Sequence, residues 1–415
     1  MVQSKENFSK DKLPAWLDQQ LFKEFLDRDF PNLKTIKSYR LEPSAGKGEN
    51  YTSLLLRANF ELELDDGSLG SISYMVKLLP NSENRDNVAM WKVFDKERTT
   101  YGEYIPEFEQ MYKEAGKEIT FGPRYYESKN ALEEELIVLE DLKKRGFINV
   151  NRHNGLDMLH TEATLEKLAQ FHAASAVRFE LKGAYPAIYN RNLCSEEDGF
   201  RDFRDTQIKA FVEAIPLYDA SHLAKSVESF GSQAEDMFQA TAPQIEGEFR
   251  VLNHGDAWCN NFMYKYDEAG KLIETYFVDL QMSRFSSPAQ DLLYFILSST
   301  QVDIKIAQFD YLIKYYHEKL TESLKLLKYS KSLPTLRSLH QSILTHGDWI
   351  LPIVTVLLPV VLVEASDDAN MDSLMDSEAS GAKFRNNMFK NPRIIRHQKE
   401  ILPWAHRRGA FEVSN

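Results

Sequence analysis

The segment from Val251 to Gln281, VLNHGDAWCNNFMYKYDEAGKLIETYFVDLQ, restricts the fold of this chain more than any other. Two strand-like runs, FMYKY and LIETYFVDL, flank the polar stretch Asp267-Glu268-Ala269-Gly270-Lys271, which reads as the turn of a hairpin. Antiparallel pairing around that turn returns the end of the second run to the start of the first, so Asp279 is expected beside Asp256 and Asn261. Two carboxylates and an amide converging at the open end of a hairpin form an oxygen-rich site suited to Mg²⁺, a hard ion that keeps waters and binds phosphate oxygens.

The rest of the chain divides near residue 140. Before it, NYTSLLLRANFELEL (Asn50 to Leu64), the turn Asp65-Asp66-Gly67 and SLGSISYMVKLL (Ser68 to Leu79) alternate as a hairpin does. Met90 to Ala115 has helical spacing, and ALEEELIVLEDL (Ala131 to Leu142) reads as a strand leaving a small sheet. Beyond it helices dominate: Thr161 to Glu180 lines up Leu165, Leu168, Ala169, His172 and Ala176 on one face. The expected class is α+β, a small β-rich lobe followed by a larger, mainly helical one, as 415 residues around a cleft would allow.

Charge and composition exclude several function classes. A net charge of −12 opposes binding to nucleic acid, whose phosphates need a field of Lys and Arg. Only Cys194 and Cys259 are present, too few for a disulfide framework or a Cys-rich metal site, and the pattern suits a reducing, cytoplasmic setting. The first residues lack the apolar core of a secretory signal. The most apolar run, Leu351 to Ala365, is fifteen residues long with Pro352 and Pro359 inside it, and reads as a buried helix rather than a membrane span. Ser366 to Gly381 reads as an acidic, solvated loop.

Asp256 and Asn261 are five residues apart, as in the catalytic loop of kinases. HGDAWCNN followed by Asp279 after one hairpin resembles the catalytic signature of the ecdysteroid-kinase-like family, related to choline and aminoglycoside kinases. The likeness runs in order from about Asn32 to Gly409. It implies a bilobal protein-kinase-like fold with an N-terminal nucleotide-binding lobe over 1–138, a hinge at 139–142 and a C-terminal lobe over 143–415 holding a catalytic loop at 254–261.

By the same resemblance Gly46, Gly48 and Asn50 belong to the loop covering the nucleotide phosphates, Lys77 contacts those phosphates and Glu97 is its ion-pair partner. Glu140 and Leu142 fall in the hinge segment VLEDL, whose backbone would pair with the adenine edge. Asp256 would take the proton of the acceptor hydroxyl, Asn261 and Asp279 would bind Mg²⁺, and Asp291 would brace the loop from below. Leu280 stands where the family more often has Phe and keeps the site apolar, and Gln281 matches the family. The implied activity is transfer of the γ-phosphoryl group of ATP to a hydroxyl of a small molecule, an ecdysteroid or a xenobiotic alcohol. Nothing implies a nucleic-acid, membrane or obligate protein partner.

Each residue also has an ordinary explanation. Lysines in strands are usually solvated, Glu97 could form a surface pair, and Glu103 is the alternative partner if the helix register differs. His254 reads as an organiser of the loop, His172 as a core-edge helix residue and Trp258 as packing. Two other function classes remain: a silent member that binds nucleotide without transfer, and a hydrolase using His254, Asp256 and Asp279 around a transition metal.

Overall fold

The computed structural model describes residues 14, 16–44, 53–79, 92–127, 136–190, 200–233, 247–364, 373–374, 376 and 379–412. The N-terminal part is an antiparallel four-stranded sheet in the order β1 (Leu33–Pro43), β2 (Leu54–Leu64), β3 (Leu69–Leu78), β4 (Leu136–Glu140), preceded by helix α1 (Lys23–Asp29). Alternation decides which side chains go where. Leu56, Ala58, Phe60 and Leu62 of β2, Tyr74, Val76 and Leu78 of β3, and Leu136 and Val138 of β4 bury one face against Phe25 and Leu26 of α1. Met75 of β3 and Ile137 and Leu139 of β4 belong instead to the core on the other face. Lys77 lies between Val76 and Leu78, so it points to that second face, toward the larger lobe.

Helix α2 (Val93–Thr99) continues through a wide turn over Thr100–Tyr104 into α3 (Ile105–Glu114). The widening precedes Pro106, which has no N–H to bond the carbonyl one α-turn back.

The C-terminal part is mainly helical. Its long helix α4 (Met158–Lys182) packs against a later one of 18 residues. Helices α5 (Phe200–Ala214) and α6 (Ala224–Gln233) precede strand β5 (Val251–Asn253). The expected hairpin follows as β6 (Phe262–Tyr266) and β7 (Leu272–Phe277), with Phe262 opposite Phe277 and a register shift at Lys265/Tyr266. The chain then returns as β8 (Arg284–Ser286), which places Arg284 opposite Asn253, and enters α7 (Ala289–Ser299). Helices α8 (Phe309–Leu326), α9 (Leu336–Thr345), α10 (Ala379–Phe389) and α11 (Pro392–His406) complete the lobe.

The α+β class, the two hairpins and helix α4 agree with the sequence reading. Two expectations are corrected, and one strand was not foreseen. The strand expected over Ala131 to Leu142 is described only as Leu136–Glu140, and residues 131–135 lie outside the described residues. The tract read as a loop to Gly381 gives way to α10 at Ala379, because the last residues of the tract, Ala379 to Gly381, continue into the helix. Strand β1 was not anticipated: most of its side chains are solvated, so its sequence lacks clean alternation. The apolar run is helical from Ile350 to Leu362, broken by a wide turn over Ile353–Leu357. Among the described residues no single helix is long and apolar enough to cross a membrane.

Candidate active site

Lys77 and Asp279 are 202 residues apart in sequence, yet the Lys77 Nζ lies 2.6 Å from Asp279 Oδ1 and 2.6 Å from Glu97 Oε2, with Gln281 Oε1 at 3.2 Å. The ammonium comes from the inner face of β3, Glu97 from α2 and Asp279 from the end of the β6–β7 hairpin. Lys77 and Glu97 are 4% and 1% exposed, which makes the pair a desolvated one. Burial draws the lysine toward its neutral form, but the charges of Asp279 and Glu97 outweigh it and hold the ammonium above its ordinary value. Burial pushes the Glu97 carboxyl up to about 7, with Lys77 opposing and Asp279 adding to the rise. Glu103, the alternative partner, is exposed on the wide turn and makes no bond to Lys77.

The loop between β5 and β6 carries the second group. Asp256 accepts the Tyr294 hydroxyl at 2.6 Å on Oδ1 and the Asn261 amide at 2.9 Å on Oδ2, and the same amide nitrogen donates to the Asp256 carbonyl at 2.9 Å. With its nitrogen so committed, Asn261 is left with its amide oxygen to offer a ligand. Burial, then the nearby charge of Asp279, push the half-buried Asp256 carboxyl up to about 7 against the two hydrogen bonds.

The loop is held from beneath by Asp291 of α7, whose carboxylate accepts the backbone N–H groups of His254 at 2.6 Å and Gly255 at 2.9 Å. Its other neighbour is His172 Nε2 at 3.1 Å, and His172 Nδ1 meets the Tyr316 hydroxyl at 2.7 Å. His172 is thus fully buried beneath the loop rather than at the core edge. Gly255 has φ +82° and sits under the Met282 carbonyl, so the loop closes against the segment after Asp279. His254 Nδ1 faces the Asp256 N–H at 3.4 Å, and Nε2 lies 3.1 Å from the Val278 carbonyl, a pattern that fits the neutral ring. Burial lowers its basicity in the same direction.

A family model described as the ecdysteroid kinase-like family matches residues 47–329, more than half of the chain. The chain belongs to the ecdysteroid kinase-like family. No curated protein matches it significantly. The family match covers every element described above from β2 to α8.

Several features of this ecdysteroid kinase-like chain were not foreseen. Asp279 adopts a left-handed backbone, φ +63°, sparsely populated for a residue other than glycine. The Val278 N–H, one residue before it, donates to the Asn261 carbonyl at 3.0 Å and ties this end of the hairpin to the loop. Asp141 is buried and accepts Arg57 Nε at 2.6 Å and the Ser73 hydroxyl at 2.6 Å, pinning the strand exit to β2 and β3. Tyr294 was missed because a tyrosine inside LLYF looks like core. Its only sequence signal is that it lies three residues after Asp291, on the same helix face.

Among the expected hinge residues, the Glu140 N–H donates to the Arg124 carbonyl at 2.9 Å and its side chain meets Arg145 at 3.2 Å. Leu142 opens a 3₁₀ turn, Leu142–Arg145, and its side chain packs with Phe147, Met263 and Tyr276. Gly46, Gly48 and Asn50 lie outside the described residues. Trp258 packs in the main core.

The donor set of Asn261 and Asp279 fits Mg²⁺: one amide oxygen and one carboxylate, both hard donors. Among the described residues no three His, Cys, Asp or Glu side chains cluster as a transition-metal site would require.

Proposed function

We propose that this protein transfers the γ-phosphoryl group of Mg²⁺-bound ATP to a hydroxyl of a small molecule, an ecdysteroid or another polycyclic or xenobiotic alcohol. The observation that carries the reading is the desolvated Lys77 ammonium held 2.6 Å from both Glu97 and Asp279, with Asp256 and Asn261 beside them.

Phosphoryl transfer passes through a loose, highly charged species, so catalysis is mostly placement and electrostatics. Lys77 holds the nucleotide phosphates, and Glu97 keeps its ammonium charged and aimed. The loop of Gly46, Gly48 and Asn50 covers those phosphates. The Glu140 carbonyl and the Leu142 N–H, the first of its 3₁₀ turn, pair with the adenine edge. Asn261 and Asp279 hold Mg²⁺, which when bound neutralises charge gathering on the phosphate oxygens. Asp256 accepts the proton of the acceptor hydroxyl as its oxygen bonds to the γ-phosphorus and the bond to the β-phosphate oxygen breaks, giving ADP and a phosphate ester. Its two cysteines, with Cys259 a buried thiol, go with a reducing cytoplasm.

The test is transfer of labelled γ-phosphate to a panel of steroids, sugars and plant alcohols, with Mg²⁺-dependent thermal stabilisation by ATP as the binding control. A labelled ester is expected from at least one alcohol. General-base help is worth about 10²- to 10⁴-fold, so Asp279→Ala should lower turnover at least as much as Asp256→Ala. Near-wild-type turnover in a folded Asp279→Ala variant would refute the assignment. Stabilisation by Mg²⁺ and ATP with no labelled product from any alcohol would favour a silent nucleotide binder.

A further inference from the structure

Helix α7 lines three groups against the catalytic loop. Asp291 accepts the His254 and Gly255 N–H groups, the Tyr294 hydroxyl donates to Asp256 Oδ1 at 2.6 Å, and Ser299 Oγ accepts the Cys259 N–H at 2.9 Å. The first and last of these bonds fix backbone. The middle one goes to the carboxylate itself.

We propose that Tyr294 is a positioning residue that orients the Asp256 carboxylate toward the acceptor hydroxyl. The terminal torsion of an aspartate is broad and roughly two-fold, so a single hydrogen bond leaves the carboxylate plane free to rock. In this loop the two oxygens are tethered from different elements, Oδ1 by the α7 phenol and Oδ2 by the Asn261 amide at 2.9 Å. The phenol is 6% exposed and carried on a helix whose residues are all buried, so its oxygen is a rigid reference point. Each carboxylate oxygen keeps a second lone pair, which leaves one free to meet the acceptor. The inference rests on Asp256 being the base.

A buried tyrosine could instead be satisfying its own hydroxyl, and the two roles differ in what they change. The experiment compares wild type, Tyr294→Phe, Asp256→Asn and the double variant. Turnover is read as ADP formed from Mg²⁺ and ATP with glycerol as a simple alcohol acceptor and with a polyhydroxylated steroid, and Kd for ATP is read separately. A positioning role predicts that Tyr294→Phe lowers kcat by about 10- to 100-fold, leaves Kd and KM for ATP within about two-fold, and adds nothing once Asp256 is asparagine. Unchanged kcat in Tyr294→Phe, or the same fractional loss in the Asp256→Asn background, overturns it. Full turnover in Asp256→Asn would instead remove the base assignment beneath it. Should Tyr294→Phe not fold, or no turnover be measurable, a crystal structure of the wild type with Mg²⁺ and a non-hydrolysable ATP analogue decides: the phenol oxygen is expected about 3 Å from the carboxylate, and a separation beyond about 4 Å overturns the proposal.

Discussion

A methyl group at position 255 should disable the loop that carries Asp256 without altering any of its charged side chains. Gly255 has φ +82°, where alanine is disfavoured by about 1–2 kcal/mol. A Cβ there would lie 2.6 Å from the Met282 carbonyl carbon, and nearer still to its oxygen, against an ordinary contact of about 3.5–4 Å. Backbone must therefore withdraw by roughly 1 Å, either in the loop or in the segment that follows Asp279. Overpacking strain of about 1–3 kcal/mol adds to the conformational term, giving about 2–5 kcal/mol of lost stability. Across 415 residues the unfolding entropy is about 0.9 kcal/mol per kelvin, so Tm should fall by only about 2–6 °C. Turnover is the sharper readout, because a 1 Å misplacement between the proposed base and the proposed metal ligand costs about 10²-fold. Gly67, in the β2–β3 turn, supplies the control: its φ is +83° and a methyl group there would have nothing within 4 Å, so Gly67→Ala meets the conformational term alone. Transfer of labelled phosphate and thermal unfolding are measured for both variants. If Gly255→Ala keeps more than half of wild-type turnover, or if the two alanines behave alike, the argument from close approach is wrong.

Asp291→Asn removes one of two acceptor oxygens and sets an NH₂ group against a backbone N–H; about 2–4 kcal/mol of stability and at least ten-fold in kcat should go, while ATP still stabilises the protein because Lys77 and Asp279 are untouched. Unaltered kcat in the folded variant would show that the brace is dispensable. A pH effect is expected at His397, where burial, aided by the charges of Lys305 and Arg396, lowers the ring to about 2. Below its ordinary value near 6.5 the unfolded chain binds a proton that the folded one refuses, so stability falls as pH drops, by up to about 1.4 kcal/mol per unit. Urea unfolding at pH 6.5 and 5 should show wild type losing about 1–2 kcal/mol more than His397→Met; equal losses would contradict the burial argument.

How much was legible depends on whether the information was local. The β2–β3 and β6–β7 hairpins follow from alternation and a glycine-bearing turn, and the hairpin alone places Asp279 beside Asn261. The identity of the lysine's partner was less secure, since Glu97 and Glu103 lie on one helical segment and only the wide turn after Thr99 fixes which faces β3. Strand β1 was illegible because one face is solvent and the other packs only in part. His172 looked like an ordinary helix residue, and its bond to Asp291 exists only because the fold brings side chains of α4 and α7 within hydrogen-bond reach.

By itself the sequence determined the two hairpins, the pairing that gathers Asp256, Asn261 and Asp279, and the choice of oxygen donors suited to a hard cation. Those are properties of neighbours in the chain, set by period and turn chemistry. Tertiary structure alone decided that Lys77 reaches across to Asp279, that Gly255 lies under a carbonyl, and that a tyrosine on α7 touches the Asp256 carboxylate. Distances of about 3 Å between residues far apart in sequence are fixed by the packing of whole elements, and the one-dimensional pattern carries no such lengths.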